Sequence, residues 1–327
     1  MKLFITIDTE EDNWGDFRST GHTVDNVARI PIIQELFERY GAVPTYLLNY
    51  PVVKNERSVN ILLDILDEGH CEIGVNCHPW NTPPFEEKIN IRNTMLCNLP
   101  YEVLHNKMET LQKAIIVAFG VTPTCFRAGR WGFGPEVAQS ICSLGYRIDT
   151  SVTPYIDWTD SSGPDFWQAP TSPFPYRFNP ADVLTEISNG CLLEVYPTIG
   201  FLQKNLKLYR RIFRLILHSP LSRIHLIGIL DRLRILNRRW LSPELSCGRD
   251  MIFLAKALIQ QGYTYLNMTF HSPSLLPGKT PFVRDEREFQ SFLSNIEVFL
   301  QFAQKQGVTF SPLSEALEIV KGTESSG

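Results

Sequence analysis

The sequence predicts an α/β fold with a largely parallel sheet in one chain of 327 residues. Two observations lead to this prediction. Short, mostly apolar runs recur along the chain, as expected of strands that are buried on both faces. Between them lie segments whose apolar residues are three or four positions apart, the spacing of one face of a helix. Strands that alternate with helices are typical of a parallel sheet covered by helices.

Eight segments have the length and composition of strands. In chain order they are 3–7, 43–48, 72–75, 124–127, 146–149, 192–196, 263–269 and 308–310. The helical spacing is clearest in residues 26–40 and again in residues 288–303, where Phe289, Phe292 and Ile296 begin a continuous apolar face. We expect a single domain over residues 1–327.

Two stretches depart from this alternation. Residues 150–190 are rich in Pro, Ser, Asp and aromatic residues and show no helical period, so we expect a long loop at the rim of the fold. Residues 204–239 hold ten Lys or Arg residues and one acid, Asp231, with apolar residues at helical spacing. They predict a basic helical insertion, which either meets an anionic membrane surface or is a solvated helical hairpin.

The overall composition excludes several classes of protein. Hydrophobic residues make up 43% and charged residues 20%, and the net charge of −4 does not favour nucleic-acid binding. No apolar run is long enough for a membrane span, and the opening MKLFITIDTEEDNWG lacks the features of a secretory signal. The seven cysteines form no CxxC pair. We therefore expect reduced, buried thiols in a cytoplasmic protein, with a peripheral position at the inner face of the membrane left open.

Titratable residues follow several of the predicted strands. Where parallel strands of an α/β barrel end, their side chains meet at one rim, which holds the active site. The residues at these strand ends are Asp8, Glu10, His78, Arg127, Asp149 and His271. They supply both metal ligands and acid–base groups. The sequence has no GxSxG, GxGxxG or Walker motif, so the strand ends are the candidate site.

Five sequence motifs resemble, in the same order, those of the polysaccharide deacetylase (NodB-homology) family. They are TIDTEED at the N-terminus, EIGVNCHPWNTPP at 72–84, FRAGRWG at 126–132, YRIDTSVTPYIDW at 146–158 and LNMTFHSPSLLPG at 266–278. PTYLLNYPV at 44–52 also resembles the second strand of the subgroup that has HPW in its second motif. The resemblance spans residues 2–280 and implies a distorted (β/α) barrel and metal-dependent hydrolysis of an N-acetyl group from a sugar.

By this resemblance the first motif supplies the base and a metal ligand. Asp8 matches the general base, but Thr9 stands where the family has a second acid that binds the metal. Glu10 is the best substitute, because residues two apart on a strand point to the same side. Glu11 and Asp12 are expected to lie in a solvated turn, which Glu10 would share if it were not a ligand.

In the second motif the family has two metal-binding histidines. Here His78 matches one of them and Asn76 stands in the place of the other. We therefore expect a divalent metal, Zn²⁺ by preference, bound by Glu10, His78 and Asn76. An amide oxygen is a weaker ligand than imidazole for such an ion. The departures at Thr9 and Asn76 leave a non-catalytic, glycan-binding relative open as an alternative.

The remaining motifs imply the groups around the metal. Arg127 resembles the arginine that holds the base, and the glycines around Arg130 let the backbone approach the substrate and its oxyanion. Asp149 and Asp157 compete for the fourth-motif role, and we prefer Asp149 because it ends a strand. His271 resembles the general acid that protonates the leaving amine, and its ordinary pKa of about 6.5 suits the task. The residues expected to bind the sugar are Trp80, Arg130, Trp131 and Trp158.

The resemblance therefore implies a metal-dependent carbohydrate N-deacetylase, a hydrolase acting on C–N bonds other than peptide bonds. The expected substrate is an N-acetylated sugar in an envelope polysaccharide or in its lipid-linked or nucleotide-linked precursor. A cyclic-amide hydrolase on the same scaffold is a second alternative. The sequence carries no signal for the identity of the sugar or for the oligomeric state.

Overall fold

The computed structural model describes residues 1–203, 205–217, 219 and 226–324. The strands within this part of the chain are β1 (Lys2–Thr9), β2 (Thr45–Leu48), β3 (Glu72–Cys77), β4 (Cys125–Ala128), β5 (Ile148–Asp149), β6 (Tyr176–Phe178), β7 (Leu192–Glu194), β8 (Ile199–Phe201), β9 (Arg238–Trp240), β10 (Tyr265–His271) and β11 (Thr309–Phe310). The helices are α1 (Ile30–Arg39), α2 (Tyr50–Val53), α3 (Glu56–Asp67), α4 (Tyr101–Phe119), α5 (Pro135–Ser143), α6 (Leu206–Leu217), α7 (Leu226–Arg232), α8 (Gly248–Ile259), α9 (Glu286–Lys305) and α10 (Ala316–Glu324).

Most of the strands form one mixed sheet that curves into an incomplete barrel with helices around it. The order is β10-β1-β2-β3-β4-β5-β7-β6, with β11 beside the start of β1. Neighbouring strands are parallel except β6 and β7. The predicted α/β fold with a largely parallel sheet is therefore confirmed.

The gap between β7 and β10 is bridged by backbone and side-chain hydrogen bonds of Thr198 and Asn267 rather than by a further strand pair. The Thr198 N–H donates to the Asn267 carbonyl at 2.9 Å, and the Asn267 N–H donates to Thr198 Oγ1 at 2.7 Å. The Asn267 side-chain amide also donates to the Val195 carbonyl at 3.0 Å. These bonds satisfy polar groups that a buried barrel seam would otherwise leave unpaired.

The local sequence explains where helix α9 begins and which of its faces is buried. Helix α9 begins after Asp285, whose side chain accepts a hydrogen bond from the Glu288 N–H at 2.8 Å and so caps a free donor of the first turn. Its buried residues are Phe289, Phe292, Ile296, Phe299, Leu300 and Ala303, the face that the apolar spacing predicted. Burial of this face against the sheet supplies most of the stability of such a helix.

Several predicted boundaries need correction. Strands β1 and β10 continue two residues further than expected, to Thr9 and His271, so their last side chains are held by the sheet. The expected rim loop 150–190 is mostly irregular, but Tyr176–Phe178 pairs antiparallel with β7 and forms the edge of the sheet. Alternating burial on a three-residue edge strand is too short a pattern to find in sequence.

The basic insertion 204–239 contains the two predicted helices, α6 and α7, and then the strand β9, which was not predicted. Strand β9 pairs antiparallel with β8 in a separate two-stranded sheet. Lys204, His218 and residues 220–225, with Arg223 among them, lie outside the described residues. That residues 1–327 form one domain stays a prediction.

A second, smaller core lies apart from the main one. It consists of Tyr155, Ile156, Trp167, Ile199, Phe201, Phe213 and Leu236. The rim loop 150–190, strand β8, helix α6 and the segment before β9 each contribute to it. The basic insertion is therefore anchored by apolar packing on the rim loop, beside the C-terminal ends of the strands.

The structure bears on two further expectations, the absence of a membrane span and the burial of the cysteines. In the part of the chain that is described, no helix is both long enough and apolar enough to span a membrane. The seven cysteines are free thiols, but only Cys71, Cys77 and Cys125 are buried, while Cys191 and Cys247 are exposed. The prediction that all seven are buried is wrong, because scattered cysteines carry no periodicity that reports burial.

Candidate active site

A cavity of ≈ 460 Å³ lies at the C-terminal ends of β1, β4 and β10. Its wall combines a patch of charged groups with a large aromatic surface. The charged and titratable residues on it include Asp8, Glu10, Glu11, His78, Arg130, Glu244 and His271. The aromatic residues are Trp14, Phe17, Trp80, Trp131, Trp158, Trp240 and Phe282. Five of the six tryptophans of the chain thus meet here.

Asp8, the penultimate residue of β1, lies between a cation and an imidazole. Arg127 Nη1 donates to Asp8 Oδ1 at 2.5 Å, and His271 Nε2 lies 3.6 Å from Asp8 Oδ2. The Arg127 side chain is 1% exposed, and its remaining donors reach Thr6, Thr150 and Thr269. A guanidinium whose donors are all used has one orientation, so it fixes the position of the Asp8 carboxylate.

His271 is held from its other side by Glu244, a residue that no sequence motif indicated. Glu244 Oε2 lies 2.9 Å from His271 Nδ1, and Glu244 Oε1 accepts from the His271 N–H at 3.1 Å and from Ser274 Oγ. Burial lowers the pKa of His271, but the carboxylates of Glu244, Glu10 and Asp8 raise it by more, to about 9. The ring is therefore an imidazolium at neutral pH.

His78 lies between two glutamates. Its Nε2 is 3.2 Å from Glu10 Oε2 and its Nδ1 is 3.6 Å from Glu11 Oε2. Burial lowers the pKa of His78, and hydrogen bonds to Glu10 and Glu11 raise it to about 10. Trp80 stacks on the His78 ring with 4.2 Å between ring centroids.

Glu11 and Asp12 were expected in a solvated turn, and this expectation is wrong. Both are buried. Glu11 accepts hydrogen bonds from Asn49, Trp80 and Asn81, and its carboxylate lines the cavity. These donors lie 38 or more residues away in sequence, so no local pattern could reveal them.

Asp12 is buried for a structural reason. Its two carboxylate oxygens accept from the backbone N–H groups of Asp25 and Asn26, at 2.8 and 3.0 Å, and from the Asn26 side chain at 2.7 Å. It therefore ties the segment after β1 to the turn that precedes α1. Thr9 is buried as well, and its Oγ1 donates to the Ile7 carbonyl rather than to a site group.

The three residues expected to bind a metal converge on one oxygen atom. Glu10 Oε2 lies 3.2 Å from His78 Nε2 and 3.4 Å from Asn76 Nδ2. Asn76 Oδ1 is buried and receives no hydrogen bond among the described residues. A carboxylate, an imidazole and a spare amide oxygen fit a divalent ion, although the set is weaker than one with two imidazoles. Within the described chain, three ligand atoms of His, Cys, Asp or Glu converge only at Glu38, Glu68 and His70, on the surface.

Asp149 lies behind the site rather than in it, contrary to the catalytic position expected of it. It is fully buried and does not line the cavity. Its carboxylate accepts from the Ser151 N–H at 3.0 Å and from Ser151 Oγ at 2.7 Å, and Ser151 Oγ accepts from the Ala128 N–H at 2.8 Å. Asp149 therefore supports the end of β4 indirectly. Asp149 is the last residue of the two-residue strand β5, and both of its carboxylate oxygens are engaged by Ser151.

The turn after β4 brings Arg130 and Trp131 to the cavity. Both are non-glycine residues with positive φ, 54° and 62°, a conformation that costs about 1 kcal/mol or more each. Gly129 precedes them where a Cβ atom would overlap the His78 ring. The Arg130 guanidinium lies over the Phe17 ring, and the Arg127 guanidinium lies over Trp131.

The other residues expected to bind the sugar lie in the same wall. Trp158 lines the cavity, and its Nε1 donates to Thr153 Oγ1 at 2.8 Å. Trp14, which the sequence analysis did not select, packs edge-on against His271 at 4.8 Å between ring centroids. Asp157, the competitor of Asp149, does not line the cavity and accepts from the Thr159 N–H.

No family model and no curated protein sequence matches this chain. Solved structures do match over nearly its whole length. A protein assigned as a polysaccharide deacetylase from Mycobacterium smegmatis is 12% identical with a TM-score of 0.54, over 99% of this chain and 91% of the other. The PuuE allantoinase is 13% identical with a TM-score of 0.53, over 98% and 90%.

A third structure, assigned as a glycoside hydrolase/deacetylase from Parabacteroides distasonis, is 10% identical with a TM-score of 0.57, over 94% of this chain and 69% of the other. At these identities the similarity concerns the fold alone. The shared fold is the curved, mostly parallel sheet with its surrounding helices. The subgroup with HPW in its second motif stays a prediction.

Proposed function

Proceeding from the polysaccharide deacetylase fold of this chain, we propose that it is a hydrolase that removes the acetyl group from an N-acetylated sugar. The observation that carries the proposal is the Asp8 carboxylate between Arg127 and His271 at the wall of an aromatic cavity. A carboxylate and an imidazolium side by side supply a proton acceptor and a proton donor for one bond cleavage.

In the proposed reaction Asp8 is the general base and His271 the general acid. Asp8 removes a proton from a water molecule, which attacks the acetyl carbonyl. The C–N bond then breaks, and His271 Nε2 gives its proton to the departing amine, so the products are acetate and an amino sugar. Arg127 and Glu244 hold these two groups in place, and backbone N–H groups of the Gly129–Trp131 turn are the proposed donors to the oxyanion.

We propose Glu10, His78 and Asn76 as the ligands of a divalent metal, with Zn²⁺ the first choice. When bound, such an ion would polarise the acetyl carbonyl and make the attacking water more acidic. A flip of the Asn76 side-chain amide exchanges the positions of its oxygen and nitrogen. The two groups are of similar size, so the oxygen can face the metal position without a steric change. The unpaired Asn76 Oδ1, on a side chain whose Nδ2 lies 3.4 Å from Glu10 Oε2, supports this assignment.

The tryptophans favour a sugar as the substrate. Trp80, Trp131 and Trp158, together with Trp14 and Trp240, give the cavity broad flat apolar faces, on which the C–H faces of sugar rings pack. Arg130 adds a hydrogen-bond donor on the same wall. We propose that the sugar belongs to an envelope polysaccharide or its precursor.

The test is acetate release from a panel of N-acetylated sugars and oligosaccharides, with the enzyme stripped of metal and then reloaded with Zn²⁺, Co²⁺ or Mn²⁺. Asp8→Asn is nearly isosteric and should lower turnover by ~10²–10⁴-fold with an unchanged circular dichroism spectrum. Asp16→Asn, on an exposed residue outside the cavity lining, is the matched control and should keep full activity.

Three outcomes would contradict the proposal. Asp8→Asn with more than about a tenth of the wild-type turnover would remove Asp8 from the role of base. Tight binding of the sugars without acetate release under any metal condition would favour the glycan-binding alternative. Ring opening of a cyclic amide without deacetylation would favour the cyclic-amide hydrolase.

A further inference from the structure

The helices α6 and α7 of the basic insertion each have an inner and an outer face. On the inner face, Phe213 belongs to the second core, and Tyr209, Ile212 and Ile216 pack against it. From α7, Ile227 and Leu230 pack on the same core. Burial of the inner faces in the second core therefore stabilises the insertion.

The outer faces are apolar and basic at once. On α6 they carry Leu208, Arg211 and Leu215, which share one side of the helix at steps of three and four. On α7 and the turn after it they carry Ile229, Arg232, Leu233 and Ile235. All seven side chains are exposed, Leu215 to 64% and Leu233 to 62%. We call these seven residues the outer face of the insertion.

The charge of this surface has one sign. Of the described residues from 205 to 239, the sole acid is Asp231, and Arg239 holds it at 2.5 Å. Arg211 and Arg232 contact no acid within the described part of the chain. The outer face therefore combines exposed leucine and isoleucine side chains with unneutralised arginines.

We propose that the outer face of the insertion docks on an anionic lipid surface. Helices that lie in a membrane interface bury leucine-rich faces among the acyl chains near the headgroups, while arginines reach the anionic phosphates. The charge complementarity selects lipid of negative charge, and the exposed apolar residues select a bilayer over a purely polar polyanion. The proposed contact is peripheral, because it is made by the exposed side of helices that pack on the second core.

The position of the insertion gives this contact a consequence for the site. Strand β9 follows α7 directly, and Trp240, Ser242 and Glu244 on and after β9 line the cavity. The Arg238 guanidinium lies 4.6 Å from the centre of the Phe213 ring and joins β9 to the inner face of α6. Docking would therefore bring the cavity close to molecules held in the membrane.

The test is co-sedimentation of the full chain with vesicles of phosphatidylcholine alone and of phosphatidylcholine with 30% phosphatidylglycerol, at about 50 and 500 mM NaCl. We expect binding to the anionic vesicles that weakens at high salt. Arg211→Gln with Arg232→Gln should lower the partition coefficient by about 25-fold, because each cation near an anionic surface contributes about fivefold. Leu215→Ser with Leu233→Ser should lower it by about tenfold or more.

Matched controls come from other surfaces of the same chain. Val117 on α4 is 87% exposed, and Arg57 and Arg287 are exposed on α3 and α9. Val117→Ser and the pair Arg57→Gln with Arg287→Gln remove the same kinds of group and should leave vesicle binding unchanged. Unfolding midpoints of all variants show whether each is folded at the assay temperature.

Three results would overturn the proposal. One is anionic vesicle binding no stronger than binding to neutral vesicles. Another is binding that the outer-face variants and the control variants reduce equally. The third is a dimer or larger oligomer that the Leu215→Ser and Leu233→Ser changes dissociate, since the outer face would then be covered by a second copy of the chain. Acetate release plays no part in this assay, so its outcome is independent of the proposed activity.

Discussion

Asp8, His271 and Glu244 form a row of charged groups in which each one orients the next. Glu244 accepts from the far side of the His271 ring, and His271 faces Asp8. In such a row the outer carboxylate fixes the tautomer of the imidazole and stabilises its charged form. Glu244 acts through His271 and is a positioning residue.

Glu244→Gln should shift the pH dependence of the proposed reaction. The general acid works while protonated, so wild-type kcat/KM should fall as pH rises through about 9, the pKa of His271. The glutamine keeps a hydrogen bond but removes the charge, so the alkaline fall should move to lower pH by about one unit or more. The measurement is a kcat/KM profile from pH 5 to 10.

Ser274→Ala serves as the control for Glu244→Gln. It removes one hydrogen bond to Glu244 and keeps the carboxylate charge, so the alkaline fall should stay near its wild-type pH. If Glu244→Gln leaves that fall in place while lowering the rate at every pH, Glu244 has a purely structural role.

Asn76 is the residue at which the proposed metal site departs from a pair of imidazoles. Asn76→His should tighten Zn²⁺ binding at least tenfold, ~1.4 kcal/mol, because an imidazole is the better ligand for this ion. The measurement is competition of the protein with a chromophoric chelator, with Asn76→Ala as the comparison. Zn²⁺ binding that Asn76→Ala does not weaken would place Asn76 outside the ligand set.

At the scale of elements, helix α4 holds the loop after β3 through one buried lysine. Lys107 is fully buried, and its Nζ donates to the carbonyls of Pro79, Thr82 and Pro84 at 3.0, 2.8 and 2.6 Å. Glu87 Oε1 lies 2.9 Å from the same ammonium. This loop carries Trp80 and Asn81, which both donate to Glu11 in the site.

Lys107→Met should therefore destabilise the protein by about 3 kcal/mol or more, since it leaves Glu87 and three carbonyls without their donor in a buried place. The measurement is urea unfolding. Lys113→Met on the same helix removes an exposed lysine paired with Glu109 and should leave the midpoint nearly unchanged. Equal urea midpoints for Lys107→Met and Lys113→Met would contradict the role of Lys107 in holding the loop after β3.

Strands β5 and β7 place two carboxyl groups side by side. Asp149 and Glu194 are register partners and both are fully buried. Burial raises the pKa of Asp149 to about 6 and the pKa of Glu194 well above its ordinary value. Glu194 Oε2 receives no hydrogen bond in the described part of the chain, so a proton on Glu194 turns it into a donor to Asp149.

Glu194→Gln should change the pH dependence of stability. A carboxyl group whose pKa is raised in the folded state loses stability as pH rises through that pKa. The glutamine does not ionise, so the stability of Glu194→Gln relative to wild type should increase between pH 5 and pH 9. The measurement is urea unfolding at both pH values, with the exposed Glu186→Gln as control. If the free energies of unfolding of Glu194→Gln and wild type differ by the same amount at both pH values, Glu194 does not hold a proton that it donates to Asp149.

These contacts show which parts of the fold and site are readable from sequence. Alternating apolar runs and helical faces predicted the sheet and most helices, because that pattern is local. Asp8, His78 and His271 were found because they end strands or follow one directly. Glu11, Lys107 and Glu244 were missed because their burial depends on partners tens of residues away, and a charged side chain carries no local mark of being buried.

At the scale of the whole molecule, the basic insertion and the active site are parts of one assembly. The insertion leaves the barrel after β8, packs on the rim loop through the second core, and returns through β9 to supply Trp240 and Glu244. A group that orients His271 thus follows the segment with the proposed lipid-binding face. The same stretch of chain therefore carries first the outer face of the insertion and then Glu244.

The distribution of tryptophans has an optical consequence. Trp14, Trp80, Trp131, Trp158 and Trp240 line the cavity, while Trp167 lies in the second core with the Arg214 guanidinium over its ring. Five of the six indoles of the protein therefore lie where a ligand in the cavity would contact them. Titration with an N-acetylated oligosaccharide should quench the emission or shift it to the blue, and Trp167→Phe should preserve that response.

Vesicles should act on the emission differently. The proposed vesicle contact lies at the outer face of the insertion, and Trp167 packs near α6 in the second core. The part of the emission change that Trp167→Phe abolishes therefore reports the insertion. The part that remains reports the cavity. An emission spectrum that no sugar in the panel alters would count against sugar binding in the cavity. The emission of the five cavity tryptophans and the emission of Trp167 can therefore report sugar binding and vesicle binding separately in one sample. The measurement needs no label and no turnover.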